Sequence, residues 1–108
     1  MQADQIIRAL GALAQEHRLA VFRLLVEAGT AGIAAGALAE QVGVPPSSLS
    51  FHLAQLSAAG LVTQRRLGRS IFYAADYAAM NGLIAYLTEN CCAGADCETP
   101  PAASCLAG

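Results

Sequence analysis

The 108-residue chain contains no lysine and no tryptophan, and charged residues make up only 13% of it. No apolar run approaches the roughly 18 residues of a membrane span, because glycines and prolines interrupt the least charged stretches. The first residues are acidic where a secretory signal would be basic, and no apolar segment with a small-residue cleavage site follows them. We therefore expect a cytoplasmic protein with no membrane partner.

Catalytic patterns are missing as well. The sequence has no Cys-x-x-Cys, no glycine motif for phosphate, and no set of nucleophile, base and orienting residue. Its two histidines, His17 and His52, lie in separate predicted helices. These absences argue against an enzyme and against an organic cofactor.

Much of the 56% hydrophobic fraction is alanine rather than large apolar side chains. A single chain of this length and composition buries little apolar surface by itself. The composition therefore favours a homodimer in which two chains share apolar surface.

Apolar periodicity predicts a mainly α-helical chain with a small β-hairpin. Helices are expected over 3–14, 16–28 and 35–42, and a fourth opens at Pro46, turns Leu49, Leu53 and Leu56 inward and stops at Gly60. Two strands over 61–66 and 70–74 follow, and a last helix runs from its cap at Asp76 to about residue 90. The order α-α-α-α-β-β-α, with a tight turn between the third and fourth helices, predicts a winged helix-turn-helix.

Polar side chains on the fourth helix and arginines on the hairpin point to DNA. The helix carries no formal charge and offers neutral hydrogen-bonding groups to base edges, whereas the hairpin supplies positive charge for phosphates. Taken singly, each pattern also fits an ordinary solvated surface, and their occurrence in this order favours double-stranded operator DNA. The candidate DNA-binding residues are Ser47, Ser48, Ser50, His52, Gln55, Arg65, Arg66 and Arg69.

These segments resemble the ArsR/SmtB family of bacterial metal-sensing repressors. The resemblance lies in ALAEQVGV at 37–44, SSLSFHLAQL at 47–56, AGLV at 59–62, and the Arg-Arg, Gly-Arg and Phe-Tyr pairs of the hairpin, and it covers most of residues 5–90. It implies a homodimer that leaves its operator when an inducer binds. It also implies that the first and last helices form the dimer interface, which suits the apolar side chains of Ile6, Leu10, Leu83 and Leu87.

The four cysteines all lie in the last eighteen residues, in a segment without apolar periodicity. We therefore divide the chain into a DNA-binding and dimerisation domain over 1–90 and a flexible cysteine-containing tail over 91–108. Two other ligand positions used in the family lack suitable side chains here: residues 34–38 contain no thiol, and the last helix contains no histidine. The tail is the remaining candidate for the sensing site.

Adjacent Cys91 and Cys92, with Cys97 five residues on, can bring three sulfurs to one soft ion. Three thiolates suit trivalent arsenic or antimony, and some arsenic-responsive members of the family carry a similar cysteine group. The resemblance assigns these three residues as metal ligands and As(III) or Sb(III) as inducer, and it leaves Cys105 outside the site. Two alternatives stay open: a response to Cd(II), Pb(II) or Zn(II), with Cys105 completing four ligands for zinc, and a thiol redox switch.

Overall fold

The computed structural model describes residues 1–91, and its fold is mainly helical with a small antiparallel sheet. The predicted order of helices and hairpin is confirmed, with one further strand before the third helix. No described helix is long and apolar enough to cross a membrane. The elements are α1 Ala3–Leu13, α2 Glu16–Ala28, β1 Ile33–Ala34, α3 Ala35–Val42, α4 Pro46–Ala58, β2 Val62–Leu67, β3 Ser70–Ala75 and α5 Tyr77–Thr88.

The boundaries of the last three helices follow from local chemistry. Gly43 ends α3 in the left-handed conformation, with φ of 79°, which glycine adopts without steric cost. Pro46 occupies the first turn of α4, where a missing backbone N–H costs nothing. Asp76 caps α5, because its carboxylate accepts a hydrogen bond of 3.0 Å from the backbone N–H of Ala79.

The strands β2 and β3 form a hairpin with a two-residue turn, in which Leu67 pairs with Ser70. Gly68 opens the turn with φ of 62°, as the type II′ class requires. The sheet has a third strand that the sequence did not predict: β1 pairs with β3 on the side away from β2. The predicted hairpin is confirmed, whereas β1 was not predicted because two residues are too short to show an alternating pattern.

The core lies between α2, α4 and the hairpin, and α4 contributes its predicted inward side chains. Leu49, Leu53 and Leu56 are at most 2% exposed. Leu25 from α2, Leu38 from α3 and Leu61 before β2 are fully buried in the same cluster. The two helices of the helix-turn-helix are thus held on one apolar base, which fixes the outer face of α4.

The apolar face predicted for α1 and α5 is divided in the structure. Ile6 and Leu83 belong to the core of the single chain, at 3% and 7% exposed. Leu10 and Leu87 remain 41% and 59% exposed, and Ile7 on α1 is 69% exposed. Only the outer part of the predicted face is therefore available for a second copy, because the inner part is already covered within the protomer.

Candidate nucleic-acid interface

The outward face of α4 is uncharged and built mostly from small side chains. Ser47, Ser50 and Gln55 are exposed, and Ser48 is half-buried at the start of the helix. No Asp, Glu, Lys or Arg occurs from one end of α4 to the other. The face can donate and accept neutral hydrogen bonds and lets another surface approach closely.

His52 lies on the other side of α4. Its side chain is only 9% exposed, and it faces α2, where its ring and that of His17 have centroids 5.6 Å apart. Its Nδ1 atom is buried and has no hydrogen-bond partner among the described residues. A side chain in this position cannot reach a base edge, so we leave His52 out of the contact surface.

Burial lowers the pKa of His52 below its ordinary value of 6.5, and the positive charge of Arg18 and then of His17 adds to this effect. Arg18 is fixed beside the pair, because its Nε donates a hydrogen bond of 2.7 Å to the carbonyl of Ala12 in α1. The backbone N–H of Arg18 also donates to the side-chain oxygen of Gln15 at 2.9 Å. The neutral imidazole of His52 is therefore part of the contact between α2 and α4.

The three hairpin arginines all have exposed side chains. Arg65 is partly oriented, because its Nη2 donates a hydrogen bond of 3.0 Å to the carbonyl of Ala31, in the segment before β1. Arg66 follows Arg65 on β2, so their side chains leave opposite faces of the strand, and Arg69 lies in the turn. The hairpin thus presents positive charge on both faces of β2 and at its turn.

The fixed charge within the segment that contains α4 and the hairpin is of one sign. Residues 41–75 include Arg65, Arg66 and Arg69 and no Asp or Glu. Within the described residues, the one ion pair joins Arg8 and Asp4 of α1, 3.6 Å apart and remote in sequence from this stretch. No carboxylate in 41–75 competes with a polyanion for the arginines.

The sequence analysis missed one prominent side chain on this surface. Phe51 of α4 is 59% exposed, and it is the largest apolar side chain on an outward face that also carries serines, alanines and Gln55. The signal was present, because a helix that turns Leu49, Leu53 and Leu56 inward must turn position 51 outward.

The cysteine site falls mainly outside the described residues. Cys91 lies three positions beyond the end of α5 and is exposed. Cys92, Cys97 and Cys105 lie outside the described range, so the predicted ligand set stays a prediction. Within residues 1–91, no three His, Cys, Asp or Glu side chains gather closely enough to hold a metal ion.

Known proteins resemble this chain in sequence and in fold. A family model described as "Helix-turn-helix domain" matches residues 13–65. The nodulation protein NolR of Rhizobium meliloti is 36% identical over 80 residues, which are 74% of this chain and 63% of NolR, so the chain spans less than two thirds of that relative. The HTH-type transcriptional regulator YgaV of Escherichia coli K12 is 32% identical over 90 residues, which are 83% of this chain and 89% of YgaV.

Two solved structures share the fold. An ArsR-like transcriptional regulator from Rhodococcus sp. RHA1 superposes with a TM-score of 0.69 at 28% identity, covering 84% of this chain and 82% of that one. The homodimeric winged helix-turn-helix DNA-binding domain of a Mycobacterium bovis protein superposes with a TM-score of 0.64 at 28% identity, covering 89% of each chain. The winged helix-turn-helix class predicted from the sequence is thereby confirmed.

Proposed function

The chain belongs to the ArsR/SmtB-type family of winged helix-turn-helix transcriptional regulators, and we propose that it is a homodimeric repressor that releases operator DNA when trivalent arsenic or antimony binds its cysteines. The observation that carries the DNA-binding part is the uncharged outward face of α4 beside arginines in a stretch without carboxylates. Neutral groups on the helix suit base edges, and the arginines suit phosphates.

The second copy follows from geometry and from apolar exposure. One helix of this length covers a few base pairs, and two recognition helices about 34 Å apart fit successive major grooves. The outer faces of α1 and α5 leave Ile7, Leu10, Tyr86 and Leu87 exposed. A homodimer that covers these side chains would set the distance between the two copies of α4. The homodimeric winged helix-turn-helix domain from M. bovis supports the proposal of a homodimer.

Cysteine chemistry supports the inducer. Thiolates are soft ligands, and the spacing of Cys91, Cys92 and Cys97 allows three of them to reach one ion. The first of these lies three residues after the end of α5, whose outer face we assign to the dimer interface. An ion held there acts on the helix that sets the spacing of the recognition helices.

The described contacts provide a route from α5 to α4. Tyr77, the first residue of α5, donates its hydroxyl to the carbonyl of Val26 near the end of α2 at 2.8 Å. The N–H of Asp76, which caps α5, donates to the carbonyl of Leu61 at 2.8 Å, just after α4. These two contacts support the proposal that a movement of α5 is transmitted to α2 and α4. A coupling free energy of about 1–3 kcal/mol would be sufficient for induction.

The test is fluorescence anisotropy of the fully reduced protein on DNA from upstream of its own gene. Arsenite, Zn(II), Cd(II) and diamide are added in separate titrations at constant salt, because phosphate contacts make affinity depend on salt. Release by arsenite and not by the other three reagents is the expected result. Failure to bind DNA in any state would contradict the repressor assignment itself.

A second candidate is a repressor controlled by thiol oxidation. The exposed Cys91 and its neighbour Cys92 favour it, because accessible clustered thiols can form a reversible disulfide. In the same titrations this candidate requires release by diamide without any metal. Release by Zn(II) or Cd(II) would instead indicate a soft-metal sensor in which Cys105 completes the ligand set.

A further inference from the structure

We propose that Phe51 is a specificity-determining residue, whose ring contacts the C5-methyl groups of thymines in the major groove. The inference rests on the proposed DNA binding of α4 and adds a base preference to it. Phe51 is 59% exposed and does not belong to the hydrophobic core cluster. Its role is thus not explained by packing within the protomer.

The position of Phe51 on the helix places it at the middle of the outward face. Ser47, Phe51, Ala54 and Ala58 follow one another at helical spacing, and all four are exposed. The three companions are small, so the aromatic ring is the most protruding group of this stripe. A ring in that place meets the floor of a groove before the backbone of the helix does.

The ring of Phe51 also packs against a second ring of α4. It meets the ring of His52 edge to face, with centroids 5.9 Å apart and planes at 64°. His52 is in turn buried against His17 of α2. Phe51 therefore projects from a fixed base, which reduces the entropy lost when the ring makes a contact.

Charge identifies the occupant of this face as DNA. Residues 41–75 contain both α4 and the hairpin with its three arginines, and no carboxylate, which favours a polyanion over a protein surface of mixed charge. In the major groove the thymine methyl is the apolar group on the base edges, and apolar side chains such as phenylalanine contact it. A phenylalanine in this setting selects thymine through the methyl group, since its ring cannot form the hydrogen bonds that read other bases.

The experiment removes only the methyl group. Duplexes selected by the wild-type protein from a random library are remade with deoxyuridine in place of one thymidine at a time, and dissociation constants are measured by anisotropy. We expect wild-type binding to weaken about 4-fold for each contacted methyl, the value for burial of one such group. Phe51→Ala should bind the thymidine duplex more weakly than the wild type and should bind the thymidine and deoxyuridine duplexes with equal affinity. Phe51→Leu should keep part of the difference in affinity.

Leu19→Ala is the matched control, because Leu19 is also exposed, at 46%, but lies on α2, outside α4 and the hairpin. It should retain the thymidine preference of the wild type. Thermal unfolding and size-exclusion chromatography of each variant report folding and assembly. Equal wild-type affinity for both bases at every position would overturn the role of Phe51 while leaving DNA binding intact. A preference that survives in Phe51→Ala, or loss of the dimer in that variant, would likewise overturn it, and selection of no duplex at all would overturn the proposed function as well.

Discussion

The imidazole rings of His17 and His52 join α2 to α4 across a centroid distance of 5.6 Å. Both rings lie next to Arg18, and the Nδ1 atom of His52 is buried without a hydrogen-bond partner in the described part of the chain. Burial is the main reason that the pKa of His52 lies below 6.5, and the neighbouring positive charges lower it further. The contact between the two helices consequently depends on a neutral His52.

Folding stability should therefore decrease as the pH falls below about 6.5. Above this pH, His52 is neutral in both states and its contribution is fully present; below it, the unfolded chain binds a proton that the folded chain resists, until the lowered folded pKa is reached. Urea denaturation at pH 7.5 and 5.5 and at constant protein concentration measures the loss. His52→Gln should show a smaller difference between the two pH values, and an NMR titration of His52 with a midpoint at or above 6.5 would contradict the assignment.

Substitution of Gly32, which lies between α2 and β1, should lower the free energy of unfolding. Its φ is 79°, and an added Cβ would collide with the backbone carbonyl of Tyr73 on β3. We expect Gly32→Ala to cost at least about 1–3 kcal/mol, the usual cost of a strained backbone conformation, because the clash adds to the strain. Denaturant unfolding of the variant tests this value.

Gly36 provides the matched control, because it lies in α3 and a Cβ there would meet nothing within 4 Å. Gly36→Ala should be neutral or stabilise the fold by up to about 1 kcal/mol. Equal stability of the two alanine variants would show that the backbone near Tyr73 yields to the added group.

The sequence was sufficient to predict those elements in which apolar residues recur at a regular spacing. Leu49, Leu53 and Leu56 mark the centre of the buried arc of α4, and a helical period locates that centre well. The edge of the buried arc depends on which neighbouring element packs against it. Because α2 packs against His52, this residue is buried, whereas the sequence alone predicts it at the DNA. Nor could periodicity reveal β1, which is defined by its pairing with Tyr73 and Phe72 rather than by its own two residues.

Positive charge on the hairpin should determine how strongly DNA binding depends on salt. Arg66→Gln and Arg69→Gln should weaken binding by similar factors on different sequences, because phosphate contacts carry no sequence information. Each lost phosphate contact should reduce the slope of log affinity against log salt by about 0.9 per protomer. Anisotropy titrations between low and high salt give this slope.

Arg23→Gln is the control for these variants, because Arg23 is exposed on α2 and lies outside the stretch 41–75. It should leave the salt slope unchanged. A slope that falls as much in this variant as in the hairpin variants would show that total charge, and not the hairpin, governs binding.

Serine substitutions should separate DNA binding from sensing. Cys91→Ser and Cys92→Ser should bind the operator like the wild type, because neither position belongs to α4 or the hairpin. Both should fail to release it with arsenite, since a serine hydroxyl stays protonated and is a poor ligand for a soft ion. In the wild type, arsenite should weaken binding by about 5-fold to 150-fold, the usual range of allosteric coupling.

Cys105→Ser distinguishes the coordination models. Three thiolates suffice for As(III), so this variant should respond to arsenite like the wild type, whereas a four-ligand zinc site would lose its response. Anisotropy with each ion provides the comparison, and the ultraviolet absorbance of sulfur-metal bonds reports binding independently of DNA. If arsenite still releases DNA from both Cys91→Ser and Cys92→Ser, the inducer is held elsewhere. Binding without release in the wild type would instead break the proposed coupling between α5 and α4.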